Sequence, residues 1–304
     1  MPSDGVLYDY CSNHAHGVCN WLVPTNTPEH LCEACALNRT IPNLSVEGHL
    51  LAWQKLEKAK HRLLYSLLKL GLPITPKTED AEQGLAFDFL SDRQSNGSGN
   101  SVQTGHYKGL ITINLAETDS VHREQIRRRM SEPYRTLIGH FRHEVGHYYW
   151  EQIIRPFPET LASYRTLFGD ETQNYGQALE VYYAQGAPSG WEQRFISAYA
   201  TAHPWEDWAE TWTHYLHIMD MVETAFSFGL SIDPLISSSI SNVEAVDFDP
   251  YQEGNFERIL DAFVMTSLSV NSFNRGMGIP DVYPFVIPAA VKEKLDFIHR
   301  IIRQ

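Results

Sequence analysis

The sequence predicts a mostly helical α+β fold with a small sheet, preceded by a short cysteine-rich domain. Apolar residues recur at helical spacing in several long segments, and strand-like patterns are confined to residues 85–115. All four cysteines fall within the first 35 of 304 residues. A boundary near residue 42 therefore divides the chain into a small domain, 1–42, and a large domain, 43–304.

The first elements of the large domain are a helix and two strands. Ser45 is a candidate helix cap, and the apolar spacing after it predicts a helix of about 25 residues that ends at Gly71. Residues 85–90 and 106–115 are predicted strands. The second strand has two interpretations: a core strand of the sheet, or an open edge that pairs with an extended peptide.

A His-Glu-x-x-His motif lies in a predicted helix of about residues 132–154, which begins near Ser131 and Pro133. On a helix, His143 and His147 are one turn apart on the same face, so both imidazoles can bind one metal ion. Glu144 lies at the edge of that face, where it can reach a water molecule rather than the metal. The spacing indicates the active-site helix of a zinc metallopeptidase.

Two carboxylates supply candidates for a third zinc ligand. Pro204 begins a predicted helix of about residues 204–228, on which Glu206 and Glu210 are one turn apart. One can bind zinc while the other accepts a hydrogen bond from a zinc-bound imidazole. Alternatively, Glu206 is a first-turn acid favoured by the helix dipole and Glu210 an exposed helix residue. Tryptophans at positions 205, 208 and 212 indicate a buried helix, which favours a functional role.

The small domain has the residues of a structural zinc site. Its thiols belong to Cys11, Cys19, Cys32 and Cys35. A Cys-x-x-Cys pair at the end of this series can place two thiolates on one tetrahedral ion, and the other two complete a closed set. His14 or His16 would substitute if Cys19 turned away. Two disulfides or free thiols are the alternatives, but the segment is too short to fold on an apolar core alone.

The charge and composition restrict the classes of partner that we expect. The formal charge is −13, which argues against a broad nucleic-acid surface and against anionic lipid. The sequence has no apolar run long enough for a membrane span, and its first residues have no signal-peptide pattern. We therefore expect a cytoplasmic protein without nucleic-acid or membrane partners. The sequence leaves the oligomeric state unknown.

The pairing of residues 143–147 with the Glu-x-x-Ala-Glu pattern of residues 206–210 resembles the gluzincin metallopeptidases. In the subset with this pattern, the first Glu is the third zinc ligand and the second lies behind it. The resemblance thus assigns zinc to His143, His147 and Glu206, and the supporting position to Glu210. A tyrosine seven residues before the ligand stabilises the transition state in that subset, and Tyr199 occupies this position.

Nearly the whole chain is similar to the bacterial putative zinc-binding metallopeptidases that carry an N-terminal zinc ribbon. The similar segments are residues 19–23, 32–35, 203–212 and 274–278. Members often have an additional pair of Cys-x-x-Cys knuckles upstream, which this sequence does not have. The resemblance implies a gluzincin-like domain after a zinc-ribbon domain, with one catalytic and one structural zinc.

The residues and the resemblance together predict a zinc-dependent metallopeptidase that acts on a peptide or protein substrate. Glu144 would be the general base, and Tyr199 would donate a hydrogen bond to the tetrahedral oxyanion. One alternative is a zinc-stabilised binding or regulatory protein whose second metal site is not proteolytic. Another is an amidase that acts on small molecules.

Overall fold

The structure is a computed structural model that describes residues 5–92, 102–129, 135–232 and 246–304. The chain divides into two compact units, Met1–Tyr148 and Tyr149–Gln304. Most described residues are helical and the sheets are small, so the predicted fold class is confirmed. Among the described residues, no helix is long and apolar enough to cross a membrane.

Strands occur in the first unit only, as far as the described residues show. They are β1 (Tyr8–Tyr10), β2 (Leu22–Pro24), β3 (Asn38–Thr40), β4 (Ala86–Leu90), β5 (Gly105–Tyr107) and β6 (Leu110–Asn114). β1 and β2 form an antiparallel hairpin. The other described strands form a sheet in the order β3-β4-β6-β5, in which β5 pairs antiparallel with β6 and the remaining pairs are parallel.

The α-helices of the described residues account for most of both units. In the first unit they are α1 (Glu33–Ala36), α2 (His49–Lys69), α3 (Ser120–Arg129) and α4 (Leu137–Tyr149), whose last residue opens the second unit. In the second they are α5 (Pro158–Phe168), α6 (Tyr175–Gln185), α7 (Pro204–Ser227), α8 (Phe256–Gly276) and α9 (Ala289–Ile302). A π-helical turn, Trp150–Ile154, continues α4.

The sheet of the first unit holds α4 in position. Phe87 and Phe89 are two residues apart on β4, so both rings point to the same face, and both are fully buried. The ring of Phe141 on α4 packs against them, with centroid distances of 5.8 and 6.1 Å. Because Phe141 lies two residues before His143, this aromatic contact fixes the helix that carries the metal-binding motif.

One predicted strand proves to be a hairpin. Residues 106–115 were expected to form one strand, but the backbone reverses at Lys108 and Gly109, and β5 pairs back onto β6. Both turn residues have positive φ, 47° and 77°, which matches the right-handed twist of a two-residue hairpin. A Cβ at position 109 would lie 2.2 Å from the carbonyl oxygen of Gly84, so only glycine fits there.

One other predicted element differs from the structure. The helix expected from Ser45 begins at His49, because the Ser45 hydroxyl donates to Oδ1 of Asn43 within a local turn. The segment 191–199 contains only short 3₁₀ turns, at Trp191–Gln193 and from Tyr199 onward. The predicted start of α4 near Ser131 and Pro133 lies outside the described residues.

Aromatic rings form the core of the second unit around α7. Trp208 and Trp212 are fully buried, as the tryptophan spacing predicts. Tyr149 stacks on Trp212 at 5.1 Å, and Trp208 packs against Tyr164 and Phe168 of α5. These contacts fix the rotation of α7 and thereby the direction of the side chains in its first turn.

Candidate metal centre

The two motif histidines converge within the first unit. Nε2 of His143 and Nε2 of His147 are 3.2 Å apart, and the ring centroids are 4.8 Å apart. With zinc–nitrogen bonds of about 2.0–2.1 Å, two nitrogens on a tetrahedral ion are about 3.3 Å apart. The distance in the structure therefore fits two ligands of one zinc ion. Glu144 is half-buried on the same helix.

The open edge of the sheet also approaches the motif. His106 on β5 stacks on His147, with ring centroids 6.4 Å apart and planes at 20°. Its Nε2 accepts a hydrogen bond from the backbone N–H of Gly109 at 2.9 Å. Burial first, and then the positive charges of His147 and Lys77, lower the pKa of His106 to about 3. His106 is therefore a neutral ring beside the motif.

Glu206 lies in the first turn of α7 in the second unit and is buried. The hydroxyl of Tyr175 donates to its Oε1 at 2.7 Å. The Tyr175 ring is held edge-on between His203 and Trp205, at 5.2 and 5.8 Å. The sequence did not indicate Tyr175, because 31 residues separate it from Glu206 and no local spacing links them.

Glu210 is half-buried one turn further along α7. Oε2 of Glu210 accepts a hydrogen bond from the Ser197 hydroxyl at 2.6 Å, and Oγ of Ser197 in turn accepts from the N–H of Ala200 at 3.1 Å. Glu210 thus stabilises the turn that carries Tyr199. Ser197 was a second residue that the sequence did not single out.

Tyr199 lies in that turn, and its ring packs edge-on against Tyr182 at 5.6 Å. Burial and, next, the negative charge of Glu206 raise the pKa of the Tyr199 phenol well above its usual range. The phenol therefore keeps its proton at neutral pH, and a protonated phenol is a hydrogen-bond donor.

The four cysteines come together in the first unit. Their sulfur atoms all lie within 4.8 Å of one another, all four residues are buried, and none forms a disulfide. The backbone N–H of Trp21 donates to Sγ of Cys19, and that of Cys32 to Sγ of Cys11, both at 3.4 Å. Cys19 points into the cluster, so neither His14 nor His16 takes its place.

The thiols cannot all ionise without a cation. Hydrogen bonds from Cys19 and Cys35 lower the pKa of Cys32. The pKa of Cys35 is raised by its hydrogen bonds with Cys19 and Cys32 and by burial. Burial raises the pKa of Cys11. A divalent ion bound among the four sulfurs would offset this repulsion, so the donor set fits zinc.

Two family models match the chain. A family model described as "putative zinc-binding metallo-peptidase" matches residues 49–301. The chain belongs to this family. A second model, described as a zinc-ribbon domain, matches residues 1–46 of this family member. Zinc binding thus follows from the family as well as from the donor sets.

The relatives of this metallo-peptidase family member include uncharacterized proteins of Mycobacterium bovis and Mycobacterium tuberculosis. Each is 44% identical over 302 residues, which cover 99% of this chain and 84% of the relative. No solved structure matches the chain.

Proposed function

We propose that the protein is a zinc-dependent metallopeptidase that hydrolyses peptide bonds. The observation that best supports this is the convergent pair His143 and His147, with Nε2 atoms 3.2 Å apart, in a member of a zinc-binding metallo-peptidase family. Glu144 lies between them in sequence, and a purely structural metal site has no use for a carboxylate at that position.

In this proposal His143, His147 and Glu206 bind the catalytic zinc. Glu206 is supported as the third ligand by its burial and by the hydrogen bond from Tyr175, which orients its carboxylate. A bound zinc ion would polarise the scissile carbonyl and lower the pKa of the attacking water. A second, structural zinc is assigned to the cysteine cluster.

Two side chains carry the proton transfers and the charge stabilisation, and a third supports them. Glu144 accepts the proton of the attacking water and delivers it to the leaving amine. Tyr199, which keeps its phenolic proton, donates a hydrogen bond to the developing oxyanion. Glu210 holds the Tyr199 turn through Ser197, in addition to the predicted role of orienting a ligand histidine.

The open edge of β5 supports a peptide or protein substrate over a small amide. β5 is an edge strand of the described sheet, so its outer backbone groups can pair with an extended chain. His106 on this strand lies against His147. A peptide paired with β5 would thus pass close to the motif helix.

The variant Glu144→Gln tests the proposal, because it removes the base while keeping the side-chain shape. We expect wild-type zinc content and loss of turnover by about 10²–10⁴-fold on a fluorogenic peptide library. Glu159→Gln is a matched control, since Glu159 is exposed on α5 and should retain full activity. Undiminished hydrolysis by the Glu144→Gln variant would refute the mechanism. A series of substrates from single amides to decapeptides separates a peptidase from a small-molecule amidase.

A further inference from the structure

A histidine outside the ribbon lies against the cysteine cluster. Nε2 of His61, on α2, is 3.2 Å from Sγ of Cys19, 3.8 Å from Sγ of Cys35 and 3.9 Å from Sγ of Cys32. The ribbon match ends at residue 46, and His61 lies in the segment that matches the metallo-peptidase family. No zinc-ribbon spacing of the cysteines could have indicated it.

The distances from Nε2 of His61 to the three sulfurs fit a ligand of the same metal ion. For bonds of about 2.3 Å to sulfur and 2.0–2.1 Å to nitrogen, a tetrahedral zinc places N and S about 3.6 Å apart, and two sulfurs about 3.8 Å apart. Nε2 approaches three sulfurs at 3.2–3.9 Å, and Cys19 and Cys32 are 3.6 Å apart. A hydrogen-bond donor would approach one sulfur, whereas a ligand approaches all three.

The other ring nitrogen of His61 is held as in a metal-binding histidine. Nδ1 lies 2.7 Å from the backbone carbonyl oxygen of Glu57, which can only accept, so Nδ1 carries the proton. Oε2 of Glu57 is 3.3 Å from the same nitrogen. Carbonyl and carboxylate partners of this kind fix the tautomer in which Nε2 offers its lone pair to a metal.

A buried network fixes this orientation. Oε1 of Glu57 accepts hydrogen bonds from Asn38 at 2.6 Å, from Trp53 at 3.0 Å and from Lys60 at 3.0 Å. Asn38 belongs to β3, directly after the ribbon cysteines, so the network joins both segments. The ring of His61 is therefore positioned before any metal binds.

We propose that His61 is a ligand of the ribbon metal and completes a Cys₃His set with Cys19, Cys32 and Cys35. Cys11 is then a buried residue beside the metal and not a ligand, and its Sγ accepts a hydrogen bond from the N–H of Cys32. The ribbon and α2 share one zinc ion, and the first helix of the metallo-peptidase segment is ordered by the metal of the preceding domain.

Cobalt substitution of the full chain tests this. All four cysteines lie in the ribbon, so the sulfur-to-cobalt charge-transfer band reports on this site even when cobalt also fills the His143/His147 site. We expect the band intensity of three thiolates per ribbon cobalt in the wild type. His61→Cys should raise it by about a third, since a fourth thiolate replaces the imidazole.

Two further variants complete the experiment. His61→Ala should weaken cobalt and zinc binding at the ribbon at least tenfold and shift the ligand-field bands, and hydrogen exchange should become faster around residues 57–65. His16→Ala is the matched control: His16 is an exposed ribbon histidine whose loss should leave the spectrum unchanged. A four-thiolate intensity in the wild type, or a His61→Cys spectrum identical to it, overturns the proposal. The His61→Cys readout remains decisive if the alanine variant does not fold.

Discussion

The Tyr175 hydroxyl donates a hydrogen bond to Oε1 of Glu206 at 2.7 Å. A proposed zinc ligand is thus held by a phenol from the first residue of another helix, α6. The contact lies wholly within the second unit, so it orients the carboxylate independently of the histidine pair.

Tyr175→Phe should therefore weaken zinc binding at the catalytic site by about tenfold, because losing the partner of a metal ligand typically costs 10–100-fold in affinity. Competition with a chelator of known affinity measures the change. Tyr107→Phe serves as control, since that ring is 70% exposed and lies outside the second unit. Equal zinc affinities for the Tyr175→Phe variant and wild type would contradict the assigned role.

Zinc stoichiometry separates the two carboxylates of α7. We expect two zinc ions per wild-type chain, one for Glu206→Ala and two for Glu210→Ala, because Glu206 is the proposed ligand and Glu210 a supporting residue. Glu210→Ala and Ser197→Ala should both lower turnover, since each removes the hydrogen bond between these two residues, and Ser197→Ala also removes the bond from the Ala200 N–H. If Glu210→Ala loses the zinc instead, then Glu210 is the ligand and Glu206 is the supporting residue.

A buried ion pair fixes α7 to α9. Nζ of Lys294 is 2.6 Å from Oδ2 of Asp207, and both side chains are buried. Lys294→Met leaves a buried carboxylate without its partner, so we expect a loss of about 3–5 kcal/mol in the free energy of unfolding by urea. The exposed pair of Lys292, on α9, with Glu257, on α8, provides the control: Lys292→Met should have a much smaller effect, because water screens this pair. Similar losses in both variants would show that burial does not determine the cost.

Stability should also fall on mild acidification. Burial, and then the charge of Arg303, lower the pKa of His299 to about 4, against about 6.5 for an exposed histidine. Below pH 6.5 the unfolded chain binds a proton that the folded state takes up only near pH 4. The neutral His299 therefore makes its full contribution to the free energy of unfolding above pH 6.5. About 3 kcal/mol of that free energy is lost as the pH falls to 4.

His299→Phe should reduce this slope between pH 7 and 4. Tryptophan fluorescence during urea unfolding measures it, because five of the seven tryptophans lie in residues 149–304. The half-buried His106, whose pKa is also lowered, contributes a slope of the same sign and remains in the variant, so the difference between the two proteins is the quantity to compare. Parallel pH profiles would contradict the assignment to His299.

The sequence correctly predicted the features that depend on the spacing of residues close together in the chain. The i,i+4 rule brings His143 and His147 together, and Pro204 marks the start of α7 correctly. The hairpin at Lys108 and Gly109 was missed because lysine rarely adopts positive φ, so only the glycine signalled a turn. Tyr175 and His61 were missed for another reason. Their contacts join segments 31 and 26–42 residues apart, and only tertiary packing determines them.

The confinement of every thiol to the ribbon has a practical consequence. The four native cysteines are each at most 6% exposed, so a cysteine introduced at the 70% exposed Tyr107 would be the one readily labelled thiol of the chain. A polarity-sensitive fluorophore attached there would sit on the open strand β5. Its emission would change when a peptide docks along that strand, which makes substrate arrival visible before any bond is cut.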